Sequence, residues 1–239
     1  LCIAGDFNTS EALCLVEKHF GSIPAGKVVK NIPEPEDDLP ELSQLELQGP
    51  GETTFIQVAY RSPKADSDDF FAFSLMESLL TGPSNLNMFG SGGVGHHTSR
   101  LYLAMVDEGL AAGVGGSLSA NIDPSTFTLY LTKNPTRTIE EVLQTLDSQI
   151  EALQNQPISQ TEIDRALKQT KALFAYSSDN ITNQAFWMGY ASSFARYDWF
   201  THYVDRISSV TPEMIQSIAQ KYLQPQARVI GVYQPKDGN

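Results

Sequence analysis

Over residues 54–61 the side chains alternate, Phe55, Gln57 and Ala59 against Ile56, Val58 and Tyr60. The same period of two returns over residues 126–132, where Phe127, Leu129 and Leu131 oppose Thr126, Thr128 and Thr132. A strand projects successive side chains to opposite faces, so each segment predicts a strand that buries one face only. From Ile139 the period changes to three and four. Ile139, Val142, Leu143, Leu146, Ile150 and Leu153 make one apolar stripe along a long helix. Strand pairs followed by helices predict an α+β fold: a largely antiparallel sheet with helices packed on one face.

The remaining punctuation fits that outline. A first strand is predicted around residues 45–47, and a hairpin joins residues 112–120 to 126–132 around Asn121-Ile122-Asp123-Pro124. Asp66, Asp68 and Asp69 place negative charge where a helix N-terminus favours it. The helix that follows, to Leu80, is apolar on most of its surface and is expected to be buried. Pro157 ends the long amphipathic helix, and Ser159 with Glu162 forms a capping box for the next. Further helices fit residues 180–194, 198–209 and 212–223, the last opened by Thr211 and Pro212, and residues 229–233 close as a strand. Trp187 and Trp199 lie among aromatic residues at spacings of three and four, which predicts a helix–helix core.

Residues 1–20 read as strand then helix. Leu1-Cys2-Ile3-Ala4 is a short apolar run expected to be buried; Asn8 or Thr9 caps a helix that carries Leu13, Val16 and Phe20 on one face. Such a start suggests a piece of a longer parent. Cys2 and Cys14 are expected to be free, buried thiols, which leaves the redox compartment open. Pro24, Pro33, Pro35 and Pro40, with the acidic run from Glu34 to Asp38, describe an extended linker. The predicted division is 1–26, 27–41 and 42–239.

Composition narrows the function. Hydrophobic content of 41% and charged content of 18% describe a globular chain, and a net charge of −12 argues against a nucleic-acid partner. No apolar run approaches the ~18 residues of a membrane span. Of the four histidines, His19, His96, His97 and His202, none stands in H-x-x-E-H or H-E-x-x-H, so no local zinc site is expected. His96 and His97 project apart and read as solvated loop residues. The run Gly90-Ser91-Gly92-Gly93-Val94-Gly95 lacks the Lys-Ser/Thr pair of a phosphate loop and reads as a hinge or close-approach loop. Asn180-Ile181-Thr182 is a glycosylation sequon only in a secretory eukaryotic context. No nucleophile–base pair has recognisable local spacing, which disfavours an independent hydrolase. No catalytic or metal residue is assigned, and substrate-binding residues are unknown.

One extended signature remains. Ser99-Arg100-Leu101-Tyr102, a helical stretch to Val106-Asp107-Glu108, and Gly109-Leu110-Ala111-Ala112-Gly113-Val114 follow the glycine run in order. With Ala4-Gly5-Asp6-Phe7, Gln57-Val58-Ala59-Tyr60-Arg61, Thr161-Glu162-Ile163-Asp164-Arg165 and Val210-Thr211-Pro212, this resembles the second domain of pitrilysin/insulinase-type zinc metallopeptidases, the family of mitochondrial processing peptidase. The resemblance implies that residues 1–26 are a strand–helix remnant of a preceding domain. It also implies that two such domains form half of a clam shell around a peptide, with zinc on the first domain of one half. The Arg and Tyr by which the opposite half grips substrate would fall on Met105 and Ala112, which cannot make those bonds, while Arg100 and Tyr102 belong to a structural part of the signature. By this resemblance the chain is a non-catalytic domain. Its zinc lies in the parent's catalytic domain, its partners are that domain or a partner subunit and a peptide substrate, and the intact protein is a dimer. The alternative is a degenerate scaffold or interaction subunit, as in respiratory-complex core subunits.

Overall fold

The computed structural model describes residues 1–27, 43–83 and 97–236. Its elements run α1 (Thr9–Phe20), β1 (Ser43–Gly49), β2 (Phe55–Ser62), α2 (Asp68–Thr81), a π-helical turn (Tyr102–Val106), β3 (Ala111–Leu118), β4 (Ser125–Lys133), α3 (Ile139–Asn155), α4 (Gln160–Ser177), α5 (Ile181–Phe194), α6 (Asp198–Thr201), α7 (Tyr203–Ser208), α8 (Pro212–Tyr222) and β5 (Arg228–Pro235). Among the described residues the strands form one five-stranded sheet in the order β1-β5-β2-β4-β3. Its pairs are antiparallel except β1 with β5, which run parallel.

The period-two segments behave as the alternation requires. Ile56, Val58 and Tyr60 of β2, Phe127, Leu129 and Leu131 of β4, and Ile230 and Val232 of β5 are buried on one face. Among the described residues, helices cover that face. α2 lies closest to the sheet, buried without a break from Phe70 to Thr81, and packs on β3, α4, α7 and α8. A helix apolar all round is stable only when enclosed, and here the sheet, α4 and α8 enclose it. Gly82 ends α2 at φ +89°, a conformation open to glycine because it has no Cβ. The outer helices carry the expected start signals, a capping box at Ser159/Glu162 and Thr211 with Pro212 opening α8, and a further capping box, Thr138/Glu141, opens α3. Trp187 and Trp199 are buried. Trp187 stacks on Phe200 at 5.9 Å between ring centres, and the Trp199 indole Nε1–H donates to the Ala65 carbonyl at 2.8 Å.

Four expectations fail. Residues 1–4 form no strand, because they do not join the edges of the sheet at β1 or β3, and a strand needs a neighbour to bond. They lie instead along α5, where a Cβ on Gly189 would sit 3.2 Å from Cys2 Cβ. Cys2 and Cys14 are exposed rather than buried: Cys2 lies in the unpaired segment before α1, and α1, which carries Cys14, buries none of its residues. The helix predicted over residues 198–209 breaks at His202, whose ψ of 1° is too far from helical to continue the ladder. The segment after Leu101 winds as a π-helical turn rather than an ordinary helix, with the Asp107 N–H donating to the Tyr102 carbonyl five residues back. The proline-rich linker falls almost wholly on residues 28–42 and the glycine run on residues 84–96, both outside the described residues.

The one-sided burial sets a contrast that urea denaturation can read. Leu129→Ala, on the covered face, is expected to cost about 2–5 kcal/mol. Thr128→Ala, its neighbour on the other face, is expected to stay within about 0.5 kcal/mol.

Candidate functional site

The uncovered face of the sheet is built from side chains that alternate with the core. Cross-strand register places them in rows. Leu47, Tyr233, Phe55, Thr132 and Gly113 form the first; Leu45, Gly231, Gln57, Tyr130 and Gly115 the second; Val229, Ala59, Thr128 and Ser117 follow, and Arg61 faces Thr126 at the far end. Leu45, Leu47, Phe55, Tyr130 and Val229 are all exposed here. The Phe55 and Tyr233 rings meet at 6.4 Å, and the Tyr233 hydroxyl donates to the Pro50 carbonyl at 2.7 Å. That ring excludes any side chain at Gly49, where a Cβ would lie 2.3 Å from the tyrosine oxygen. In these rows Arg61 is the single charged residue, on a chain with 16 basic and 28 acidic side chains. The face is therefore a platform of aromatic, aliphatic and hydroxyl groups from which charge is largely absent.

Charge at the sheet sits on the covered side instead. The Arg228 guanidinium, at the start of β5, bonds both oxygens of Asp147 on α3 (Nη2 to Oδ2 at 3.1 Å) and donates to the Tyr60 hydroxyl at 3.2 Å. Burial alone would favour a neutral Arg228, but Asp147 and Tyr60 outweigh it and hold the cation more firmly than usual. Burial likewise raises the Tyr60 phenol, partly offset by the guanidinium.

The histidines of the sequence do not converge. His19 is exposed on α1, and His202 is exposed at the α6–α7 break, its Nδ1 2.9 Å from the Asp198 carbonyl. The His97 ring lies against Tyr102, tilted at 53° with centres 4.5 Å apart, and His96 lies outside the described residues. Among the described residues no group of three or more His, Cys, Asp and Glu side chains can hold a metal ion. A zinc ligand set therefore does not fit the described residues. Met105 is fully buried in the core and cannot reach a ligand on any surface, whereas Ala112 is exposed on β3. Arg100 grips Glu162 through two bonds, of 2.9 and 3.3 Å, and Glu162 also caps α4 through Ser159. Arg100 thus ties the chain leaving residue 97 to α4, as does Thr98, whose hydroxyl accepts from the Gln169 side chain at 3.2 Å. Asn180 uses its side chain to cap α5, accepting from the Asn183 N–H at 2.8 Å.

The sequence model of the peptidase M16 inactive domain matches residues 1–170. No curated protein matches the chain. Among solved structures, a protease from Helicobacter pylori superposes with a TM-score of 0.81 at 19% identity, over 97% of this chain and 54% of that one. The peptidase M16 inactive domain from Pseudomonas fluorescens gives 0.78 at 19% identity, over 98% of this chain and 53% of the other. A chain of complex III2 from Candida albicans gives 0.70 at 14% identity, over 96% and 53%. The chain thus spans about half the length of these three relatives.

The Arg100–Glu162 pair carries a pH signature. Burial pulls the Glu162 carboxyl upward, but bonds from Arg100 and Ser159 outweigh it and hold the group below its ordinary 4.5. A lowered folded value gives stability that is present above pH 4.5 and lost as pH falls through the folded value. Glu162→Gln is expected to be less stable than the natural chain at pH 7 by about 1 kcal/mol. Thermal unfolding followed from neutral to acid pH should show that gap closing below pH 4.5.

Proposed function

We propose a function from one premise: the chain belongs to the family of peptidase M16 inactive domains. It acts as the non-catalytic domain of a zinc metalloendopeptidase, walling the chamber in which a peptide is cut and packing on a catalytic domain. The observation that carries this reading is the sheet's asymmetry. One face is sealed by helices, and the other keeps exposed leucine, phenylalanine and tyrosine side chains with almost no charge. A soluble protein rarely leaves such a face without a ligand or partner for it.

Residues 1–26 fit the same reading as part of a preceding domain, followed by a linker over 27–41 and the inactive domain over 42–239. α1 buries none of its residues, and Leu1, Ile3, Phe7, Leu13, Leu15, Phe20 and Ile23 are exposed. A catalytic half would supply the cover these side chains lack, and it would hold the zinc. No step of peptide hydrolysis runs through this chain's own residues.

The purified chain, incubated with zinc and an unstructured peptide, is expected to release no products above a buffer control. Cleavage that a chelator abolishes would overturn the proposal. The scaffold alternative is separated by the catalytic half: zinc bound there with peptide cleavage supports the wall of a protease, and neither supports a scaffold.

A further inference from the structure

We infer that α5 is the seat that holds residues 1–27 on this domain. Its side marked by Ile181, Ala185 and Gly189 takes residues 2–5 as an extended segment, and Gly189 lets that segment close on the helix. This rests on the reading of residues 1–26 as part of a preceding domain, and it names the surface and the contact that hold that part.

α5 is apolar on most of its surface, from Ala185-Phe186-Trp187-Met188 through Tyr190-Ala191, yet only Trp187, Ala191 and Phe194 are buried. Phe186, Met188 and Tyr190 touch the core while remaining half-buried. A helix apolar on most sides needs cover on its outer side as well. The segment before α1 supplies part of it. A Cβ on Gly5 would lie 4.0 Å from Ile181 Cγ2, and one on Gly189 would lie 3.2 Å from Cys2 Cβ. Residues four apart share a side of a helix, so Ala185 stands between the two contacts. The lengths agree. From Ile181 to Gly189 a helix advances about 12 Å, and residues 2–5 in extended form span about 10 Å. The segment therefore runs antiparallel to α5, with Gly5 at its first turn and Cys2 about two turns on.

Glycine is otherwise a poor residue at 189. Inside a helix it is less stable than alanine, and Gly189 has no positive φ that would call for it. What it permits is closeness: the Cys2 Cβ occupies the space that a side chain at 189 would need. The contact has weight because α1 buries none of its residues. Among the described residues, the hold on this N-terminal unit comes from the segment before that helix.

Disulfide trapping in the intact chain tests this. In a Cys14→Ser background, Gly189→Cys sets a second thiol opposite Cys2, a few tenths of an ångström inside the ~3.8 Å Cβ separation of a disulfide. Oxidation by dissolved oxygen is expected to join the two within one molecule, read as the loss of two hydrogens from the intact monomer mass. Thr182→Cys, on the same side of α5 but about two turns away, is expected to stay reduced. The oxidised Gly189→Cys chain should melt above its reduced form, because the bond restrains the unfolded chain without displacing the folded one. If Gly189→Cys does not fold, Gly5→Cys with Ile181→Cys, in a background of Cys2→Ser and Cys14→Ser, carries the same test at the other end. No bond within the monomer, an equal yield from Thr182→Cys, a bond only between copies, or a lower melting temperature on oxidation overturns the inference. None of these outcomes produces the chelator-sensitive cleavage that would instead overturn the inactive-wall reading.

Discussion

The burial of α2 against one face of the sheet is the constraint from which the rest of the molecule follows. Phe70, Phe73, Leu75, Met76 and Leu80 are sealed from water, and the helix is enclosed by β3, α4, α7 and α8. An apolar helix of this kind admits few alternatives: shifting it would expose phenylalanine and leucine on one side or open voids on the other. Once it is in place, the sheet has an inside. The side chains of β2, β4 and β5 that alternate with the core are then committed to the outside, and their chemistry becomes that of a surface.

The elements whose packing is local were legible in the sequence. β2 and β4 announce themselves by alternation, α3 by its stripe, and α4 and α8 by Ser159/Glu162 and Thr211/Pro212, because each signal needs only a few neighbouring residues. The failures share a cause. Residues 1–4 are apolar enough for a buried strand, but strand formation depends on a partner that the composition of the segment does not reveal. Cys2 and Cys14 followed that error outward. His202 sits in a stretch apolar on both sides, so the break between α6 and α7 leaves the helical pattern of its neighbours intact.

The candidate site was legible in part. Alternation separated the two faces of β2 and β4, yet not that Leu45, Gly231, Gln57, Tyr130 and Gly115 would line up. That row joins strands whose pairing spans most of the chain, including the parallel match of β1 with β5. Taken singly, a glycine such as Gly115 or Gly231 says only that a strand is weakened at that point. Only register shows that both stand on the uncovered face, with open space above each.

Charge is divided between the two sides of the sheet in a way that separates attraction from contact. The net −12 is carried away from the rows of the uncovered face, where Arg61 alone is ionised, while the acidic side chains of α2 and α3, such as Asp68, Asp69, Glu140 and Glu141, lie on the helical side. The field of such a chain extends about 8–10 Å at physiological salt and favours approach of basic polypeptides. Contact on the face itself rewards apolar surface and hydrogen bonds to Thr, Ser, Gln and Tyr side chains, because no fixed carboxylate there can repay a desolvated cation. Salt should therefore change how fast a basic peptide arrives far more than how tightly an uncharged segment is held once seated.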